Sequence, residues 1–370
     1  MSSITTCRWG ILGTANIARK NWEAIRHAEN STLTAVASRS VERAAQFINE
    51  CQASVPHQPA PRAIGTYEGL LQAKDVDAVY IPLPTGIRKE WVIRAAEAGK
   101  HVLVEKPVGC NAGDVAEMLD ACRRHRVQFM DGVMFMHSRR LNRIRDILDD
   151  GTSVGRIRRI SSAFSFCAPD EWVNSNIRAS GELEPLGCLG DLGWYTIRFA
   201  LWVMNYQMPL QVSGRMLTQA RRPDSRSDVP MEFSAELFFA NGVSATFYNS
   251  FVTENQQWAN VAGTKGFLTV PDFVLPFFGC ESAFGVHNAS FQADGCQFSM
   301  EEHTRRIAVR EPSNNALNAQ ETNLFRKFSE LALGGKPDEF WADIALRTQQ
   351  VMDACLASAR QEGRLIEMVR

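Results

Sequence analysis

Short apolar runs alternate with helix-like segments through the first third of the chain, and this alternation limits the fold more than any other feature. Five runs are too short for helices, so we predict buried strands at about 8–13, 32–38, 77–81, 101–104 and 127–130. Segments of helical periodicity with short connections separate them. Strands that alternate with helices in this way predict an α/β, doubly wound parallel sheet.

The pattern changes after a predicted helix at about 139–149. Strand-like alternation follows at 156–166, 210–218, 231–239 and 243–251, and Asn241-Gly242 between the last two is typical of a hairpin turn. We therefore predict a first domain at 1–130 and a second α+β domain at 131–370 with a predominantly antiparallel sheet. The tail at about 320–362 returns to helical periodicity and can pack on either domain.

The bulk properties of the chain exclude several classes of protein. Its 370 residues are enough for two domains, and its net charge of −1 gives no electrostatic basis for binding nucleic acid or an anionic membrane. No uncharged apolar stretch approaches the roughly 18 residues of a membrane span. Nine scattered cysteines without a C-x-x-C pair, and a start unlike a signal peptide, predict a cytoplasmic protein without disulfides or a metal site.

The first predicted strand runs through a glycine into a helix, which is the setting of a dinucleotide-binding turn. The residues read Gly13-Thr14-Ala15-Asn16-Ile17-Ala18, so alanine replaces two glycines of the usual G-x-G-x-x-G pattern. The helix N-terminus still offers free N–H groups and a positive dipole end to a pyrophosphate. On its own, the degraded pattern fits an ordinary strand-to-helix turn equally well.

The end of the second predicted strand indicates which dinucleotide is bound. NAD sites usually have an Asp or Glu there, whereas this chain has Ser38 and Arg39, with Arg43 one helical turn later. Because arginine can hold a 2′-phosphate by charge-assisted hydrogen bonds, we predict NADP, with NAD as the alternative. Further cofactor contacts are predicted at the ends of later strands, at Pro82, Leu83, Pro84, Glu105 and Lys106.

Two more motifs carry candidate catalytic residues. The strand at 101–104 ends in Glu105-Lys106-Pro107, and the proline biases Lys106 toward an extended conformation where open α/β sheets bind ligands. A lone Lys-Pro is more commonly an ordinary loop. About 85 residues later, Gly190-Asp191-Leu192-Gly193-Trp194-Tyr195 enters a helix-like run. We expect Asp191 at the helix start, as an N-cap or first-turn acid, and Tyr195 one turn further, although a packed tyrosine on a capped helix fits too.

Together and in this order, the three motifs resemble the glucose–fructose oxidoreductase / inositol dehydrogenase / rhizopine catabolism (Gfo/Idh/MocA) family. The stretches 10–19 and 189–198 look closest to its dihydrodiol and D-xylose dehydrogenase branch. The resemblance implies a Rossmann domain, an open-faced mixed sheet that often forms homodimers or homotetramers, and an NAD- or NADP-dependent oxidoreductase.

The resemblance also implies roles for single residues. Lys106 would lie near the nicotinamide and the reacting hydroxyl, Asp191 would help to fix substrate hydroxyls, and Tyr195 stands where many members have histidine. The chain departs from the family at Ala15 and at Arg88, where relatives often have histidine, and the role of Arg88 is left unassigned.

Alcohol oxidation needs a hydride acceptor and a base for the hydroxyl proton. A free tyrosine, with a pKa of about 10, is a poor base, but a nearby ammonium favours the phenolate. We therefore expect Lys106 to lower the pKa of Tyr195, which then accepts or donates the proton, although the reversed roles stay open. The residues predicted to contact the substrate are Trp172, Asn176, Arg178 and Trp194.

The sequence leaves the reacting molecule open. A sugar, a cyclic polyol, a trans-dihydrodiol and a dicarbonyl are all compatible with these motifs. An alternative outside enzymology is a dinucleotide-binding sensor or scaffold that has lost its chemistry, against which the presence of both Lys106 and Tyr195 argues.

Overall fold

The computed structural model describes residues 6–313 and 315–368, and its first sheet has six strands. They are β1 (Cys7–Leu12), β2 (Ser31–Ala37), β3 (Arg62–Ile64), β4 (Ala78–Ile81), β5 (His101–Val104) and β6 (Phe129–Asp131). All pairings are parallel, and the order β3-β2-β1-β4-β5-β6 is that of a dinucleotide-binding doubly wound sheet. The predicted α/β class is confirmed.

Five helices connect these strands, and the way each one begins matters for the site. They are α1 (Asn16–His27), α2 (Val41–Ser54), α3 (Tyr67–Leu71), α4 (Thr85–Glu97) and α5 (Ala112–Arg124). Side chains of Ser40, Thr66 and Asn111 cap α2, α3 and α5 by accepting a backbone N–H three residues on. Ala15 offers α1 no such side chain, so the first N–H groups of α1 are left for a ligand or solvent.

Helix α6 (Arg139–Asp149) leads into a nine-stranded second sheet. Its strands are β7 (Ile157–Cys167), β8 (Gln211–Ala220), β9 (Val229–Phe238), β10 (Ser244–Ser250), β11 (Val252–Gly263), β12 (Phe267–Val270), β13 (Ser282–Asp294), β14 (Gln297–Val309) and β15 (Ile366–Glu367). The order is β14-β13-β12-β11-β7-β10-β9-β8-β15, and only the β7–β10 pairing is parallel among the described residues. The predicted mostly antiparallel sheet is therefore confirmed.

The predicted hairpin between β9 and β10 is also confirmed. Asn241 and Gly242 have φ angles of 61° and 70°, the left-handed region that a tight turn of this kind needs. Strands β11 to β15 were not predicted. The outer parts of β13 and β14 are exposed on both faces and show no apolar alternation that could have predicted them.

The remaining helices pack against the sheet or bridge the two halves of the chain. They are α7 (Asp170–Ser175), α8 (Gly187–Asp191), α9 (Gly193–Val203), α10 (Gln320–Leu333) and α11 (Phe340–Ala359). Helix α10 lies on the first sheet, where Phe325 and Phe328 contact Trp9 of β1 at ring-centroid distances of 5.0 and 4.9 Å. The C-terminal part of the chain therefore packs back on the first domain, while the domain boundary near residue 130 stays a prediction. In the described ranges, no helix has the length and apolarity needed to cross a membrane.

Candidate active site

A cleft of about 1130 Å³ lies where the carboxyl ends of the parallel strands face the second sheet. Open α/β sheets bind their ligands at this edge. Its lining includes Ala15, Asn16, Ile17, Lys20, Asn21, Tyr80, Pro82, Arg88, Glu105, Lys106, Met134, Phe164, Trp172, Asn176, Arg178, Glu184, Asp191, Tyr195, Gln256, Trp258 and Glu321. The cleft thus joins the residues predicted to bind the cofactor to those predicted for catalysis.

Lys106 is held in the centre of this cleft by Asp191. Its Nζ donates to the Asp191 carboxylate Oδ1 at 2.6 Å and to the Asp191 carbonyl at 2.7 Å. An ammonium has three hydrogens, so one remains for a ligand. The side chain of Lys106 is 10% exposed, which leaves it little freedom to turn away.

Asp191 is shared between two cations. Its second oxygen, Oδ2, lies 2.7 Å from Nε of Arg178. Burial alone would raise the pKa of Asp191, but the charges of Arg178 and Lys106 outweigh it and hold the pKa at about 2. Asp191 is therefore a carboxylate at every physiological pH, and it fixes Lys106 and Arg178 relative to each other.

Tyr195 lies beside the ammonium of Lys106, with Nζ 4.7 Å from its ring centroid. Its hydroxyl faces Met134, whose sulfur lies 3.4 Å away and is a weak acceptor, so the phenol remains available to a ligand. Burial, Glu105 and Asp191 raise the pKa of Tyr195 well above 10, although Arg178 opposes them. The expected lowering of this pKa is wrong for the protein by itself, because desolvation and the charges of Glu105, Asp191 and Glu321 together exceed the opposing effect of Arg178.

Arg88 ties the two cofactor-side loops together. The side chain is buried, and its guanidinium donates to the carbonyl of Leu83 (from Nε, at 3.0 Å) and to that of Pro107. It therefore fixes the loop after β4 against the turn that presents Lys106. Burial lowers the pKa of Arg88, and the negative charges of Glu184 and Glu105 oppose that effect.

A loop of the second domain docks on the start of α4. Both the backbone N–H and the hydroxyl of Thr85 donate to the Glu184 carboxylate, at 3.0 and 2.6 Å. The N–H of Gly86 donates to the carbonyl of Leu183 at 2.8 Å. A carboxylate at a helix N-terminus is favoured by the helix dipole, so this contact joins the two domains at the edge of the cleft.

The far end of the cofactor side fits a phosphorylated dinucleotide. Gly13 has a φ of 119°, and a Cβ there would lie 3.0 Å from Leu83 Cδ2, so the turn needs glycine. The hydroxyls of Thr14 and Ser38 lie 3.4 Å apart at the end of β2. Arg39 and Arg43 are exposed beside them, and neither forms an ion pair with any carboxylate of the described ranges. Two free guanidiniums at the ribose end suit a 2′-phosphate.

The substrate side of the cleft is aromatic and amide-rich. The ring of Trp172 packs edge-on against Phe166 and Phe251, at 5.7 and 5.1 Å. Asn176 accepts the backbone N–H of Arg178 at 3.0 Å, which orients the segment that carries the guanidinium. Aromatic rings and amide groups together can hold the apolar face and the hydroxyls of a small polar molecule.

Comparison with known proteins identifies the family. Residues 7–133 match a model described as the oxidoreductase family with an NAD-binding Rossmann fold, and residues 141–269 match the GFO/IDH/MocA C-terminal domain. The chain belongs to the GFO/IDH/MocA oxidoreductase family.

Two of the similar proteins are named for reactions on sugars, and a third is a ketoreductase of known structure. A dTDP-3,4-didehydro-2,6-dideoxy-alpha-D-glucose 3-reductase of Streptomyces violaceoruber is 33% identical over 72% of this chain and 73% of its own length. A D-xylose 1-dehydrogenase (NADP(+)) of Haloferax volcanii is 32% identical over 70% of this chain and 74% of its own. A 3-ketoreductase from Actinomadura kijaniata, solved with NADP and TDP-benzene, has a TM-score of 0.77, 25% identity and covers 95% of this chain and 98% of its own.

The family membership confirms the resemblance, the fold and the oxidoreductase class predicted from the sequence. The structure places Lys106, Asp191 and Tyr195 together as predicted, and it brings Ala15, Asn16 and Ile17 to the same cleft. Gly13, Thr14, Ser38, Leu83 and Pro84 shape this end of the cleft without lining it, while Pro82 and Glu105 line it directly. The individual roles of these residues stay predictions.

Two expectations about the second motif are wrong. Asp191 ends α8 and does not cap the helix of Tyr195, because Leu192 holds the N-cap position and Asp191 is taken by Lys106 and Arg178. Trp194 does not contact the cleft: it is fully buried in the core and its indole N–H donates to Asp131 at 2.9 Å. Trp194 lies on the side of α9 that meets Asp131 of β6, whereas Tyr195 lines the cleft.

Several residues of the cleft were not predicted. Glu321, Asn21 and Tyr80 reach it from α10, from α1 and from β4. None lies in a motif, and only the tertiary fold brings them near Lys106. Predicting that Glu321 and Tyr80 line the cleft would have required knowing which strand ends and helices meet.

Proposed function

We propose that the protein is an NADP-dependent oxidoreductase that transfers hydride between the nicotinamide and a hydroxyl or carbonyl carbon of a sugar, polyol or trans-dihydrodiol. The observation that carries this proposal is the clamp on Lys106: two hydrogens of its ammonium are bound by Asp191, and the third faces a cleft shared with Tyr195. Family membership and the NADP complex of the Actinomadura ketoreductase support the cofactor.

NADP would occupy the cleft between α1 and the end of β2. The N–H groups at Asn16 and Ile17 would hold the pyrophosphate, since no side chain caps α1. Ser38, Arg39 and Arg43 would hold the 2′-phosphate. The bound nicotinamide supplies or accepts the hydride, and the protein positions it.

In the direction of reduction, Tyr195 donates a proton and Lys106 donates a hydrogen bond to the carbonyl oxygen. As hydride reaches the carbonyl carbon, negative charge develops on that oxygen, and a fixed ammonium stabilises it. The proton of the Tyr195 hydroxyl moves to the oxygen, which completes the alcohol and leaves a phenolate beside Lys106.

The protonation state of Tyr195 fits this direction. Because its pKa is raised, the phenol is neutral at neutral pH, so the free protein already holds the proton that the reduction of a ketone consumes. This agrees with the sugar 3-ketoreductases among the relatives. Oxidation would require the positive charge of the oxidised nicotinamide to help form the phenolate.

The substrate would lie between Lys106 and the aromatic wall. Trp172 and Phe164 would face the apolar side of a sugar ring, while Asn176, Gln256 and Arg178 would meet its hydroxyls. Asp191 would act on the substrate mainly by fixing Lys106 and Arg178, since each of its oxygens already binds one of them.

We also propose that the protein is a cytoplasmic homodimer or homotetramer that associates through the second sheet. The helices α8, α9 and α11 pack on strands of that sheet, while residues of the opposite face, such as Thr246 and Tyr248 of β10, are half-buried. All nine cysteines are free, which fits a reducing compartment.

The test is turnover, followed by absorbance of the reduced nicotinamide. The wild-type protein is mixed with NADPH or NADH and a panel of keto-sugars, and with NADP or NAD and a panel of sugars, polyols and trans-dihydrodiols. We expect oxidation of NADPH by at least one ketone, with NADH less effective. Cofactor binding without turnover across the panel would instead favour the sensor or scaffold alternative.

A further inference from the structure

Four carboxylates line the cleft, and three of them are compensated by positive charge. Asp191 pairs with Lys106 and Arg178. Glu321 of α10 pairs with Lys20 of α1 at 2.5 Å. Glu184 accepts the hydroxyl and the N–H of Thr85 at the N-terminus of α4, where the helix dipole is positive.

Glu105 is the exception. Its carboxylate is half-buried in the cleft, and within 6–313 and 315–368 it forms no ion pair with any lysine, arginine or histidine. Arg88 exerts a favourable charge on it, but that guanidinium donates to the carbonyls of Leu83 and Pro107 and is not in ion-pair contact with Glu105. A half-buried charge without a contacting counter-ion is costly for folding.

The groups that contact the Glu105 carboxylate fix its position by hydrogen bonds but do not supply a positive charge. The hydroxyl of Tyr80 donates to Glu105 Oε1 at 2.5 Å, and the amide of Asn21 donates to the Tyr80 hydroxyl at 2.6 Å. The N–H of Lys106 lies 3.3 Å from Glu105 Oε2. All of these groups are donors, and an ionised carboxylate is the form that only accepts.

Glu105 also lies where its negative charge could pair with a bound cation. It follows β5 directly and lines the cleft between the start of α1, which would take the pyrophosphate, and the Lys106–Tyr195 pair. The nicotinamide of a dinucleotide has to lie between those two places for hydride to reach a substrate on Lys106. An oxidised nicotinamide ring is positively charged, whereas the reduced ring is neutral.

We infer that Glu105 is the counter-ion of the oxidised nicotinamide, and that Tyr80 and Asn21 hold it toward that ring. This inference rests on the proposed NADP-dependent function and deepens it. A fixed negative charge binds NADP⁺ more strongly than NADPH and therefore lowers the reduction potential of the bound cofactor. The bound NADPH becomes a stronger hydride donor, in the direction that the neutral Tyr195 also favours.

The test is the ratio of two affinities, measured without any substrate. Dissociation constants for NADP⁺ and for NADPH are determined by titration calorimetry for the wild-type protein, Glu105→Gln, Glu105→Asp and Tyr80→Phe. Glu330→Gln serves as a control, because Glu330 is an exposed carboxylate of α10 that pairs with Lys327 away from the cleft.

We expect Glu105→Gln to weaken the binding of NADP⁺ about tenfold relative to that of NADPH. This change raises the reduction potential of the bound two-electron couple by about 30 mV. Glu105→Asp keeps the charge and should stay within about threefold of the wild-type ratio. Tyr80→Phe keeps the carboxylate of Glu105 but removes the hydroxyl that holds it in place, so the preference for NADP⁺ over NADPH should fall about threefold. Glu330→Gln should leave the ratio unchanged.

The outcomes separate the inference from the function on which it rests. The inference is wrong if Glu105→Gln weakens the binding of NADP⁺ and NADPH equally. It is also wrong if Glu105→Gln keeps the wild-type ratio of the two dissociation constants while Glu105→Asp changes it, because Glu105 would then act by its shape. If Glu105→Gln does not fold, an unchanged ratio in Tyr80→Phe overturns it. If the wild-type protein binds neither cofactor, the proposed function itself fails.

Discussion

Replacing Asp191 with asparagine removes one charge from the centre of the site and keeps the shape. The carboxylate oxygens of Asp191 lie 2.6 Å from Lys106 Nζ and 2.7 Å from Arg178 Nε, so the variant leaves two cations without their shared counter-ion. Its side chain is 14% exposed and that of Lys106 10%, whereas Arg178 is 41% exposed. Solvent therefore screens the second pair more than the first.

The pKa of Asp191 sets the size of the effect on stability. An ordinary aspartate has a pKa of 3.8, against about 2 here, which corresponds to roughly 2 kcal/mol of stabilisation at neutral pH. Because the pKa is lower in the folded state, this contribution is present above about pH 4 and falls as the pH drops toward 2. About half of it should be lost by pH 3.

We expect Asp191→Asn to reduce the free energy of unfolding by about 2–3 kcal/mol at pH 7 and by about half of that at pH 3. Denaturant titrations at the two pH values measure the difference. The kcat should fall by about 10- to 100-fold, because Lys106 loses its orientation, while the dissociation constant for NADPH changes little.

The matched control is Asp77→Asn. Asp77 also forms a close ion pair, with Arg8 at 2.6 Å, but it lies at the opposite end of the first sheet from the cleft. This variant should lose stability and keep its kcat. A wild-type kcat in Asp191→Asn, or an equal loss of stability at pH 3 and pH 7, would contradict the role of Asp191 as the shared counter-ion.

Other predictions concern the cofactor, the domain contact and a buried base. Arg39→Asp should raise the KM for NADP at least tenfold and that for NAD little; equal effects in steady-state assays would exclude a 2′-phosphate contact. Gly86→Ala should destabilise the fold by about 1–3 kcal/mol, because its Cβ would lie 2.0 Å from the Glu182 carbonyl. In the control Gly279→Ala, the new Cβ meets nothing within 4 Å, so thermal unfolding should be unchanged. Burial lowers the pKa of His57 from 6.5 to about 4. Protonation of this residue in the unfolded chain should therefore reduce the free energy of unfolding by roughly 2 kcal/mol at pH 5. Denaturant titrations of His57→Gln should not show this dependence on pH.

Local patterns in the sequence were sufficient for five strands of the parallel sheet, whereas the three-residue edge strand β3 was not predicted. The strand predicted at 101–104 matches β5, and the helix at 139–149 matches α6, because each buries a continuous apolar run or stripe. Helix α4 begins at Thr85, where the fixed φ of Pro84 and the acceptor Glu184 both support a helix start.

The catalytic group was predictable only as separate motifs. Lys106 and Asp191 are 85 positions apart, and nothing local indicates that Asp191 binds the ammonium rather than a helix start. The pKa of Tyr195 was predicted with the wrong sign for the same reason. Its cationic neighbour was visible in the motif, but its burial and the charge of Glu105 depend on how the two domains meet.

Charge compensation in the cleft was beyond prediction from the sequence. The pairing of Glu321 with Lys20 joins residues about 300 positions apart, through a helix whose packing on the first sheet was one of two open alternatives. That Glu105 lacks such a partner can be recognised only once every other charged side chain of the cleft has been placed.

The most direct measurement is the kcat of NADPH-dependent ketone reduction by Tyr195→Phe and Lys106→Ala, with the NADPH dissociation constant determined for the same samples. Each variant should lose about 10²- to 10⁴-fold in kcat, because one removes the proton donor and the other the cation that stabilises the developing charge. NADPH should bind both within a few-fold of the wild-type affinity. A kcat within threefold of the wild-type value in either variant would contradict the assignment of Lys106 and Tyr195 as the catalytic pair.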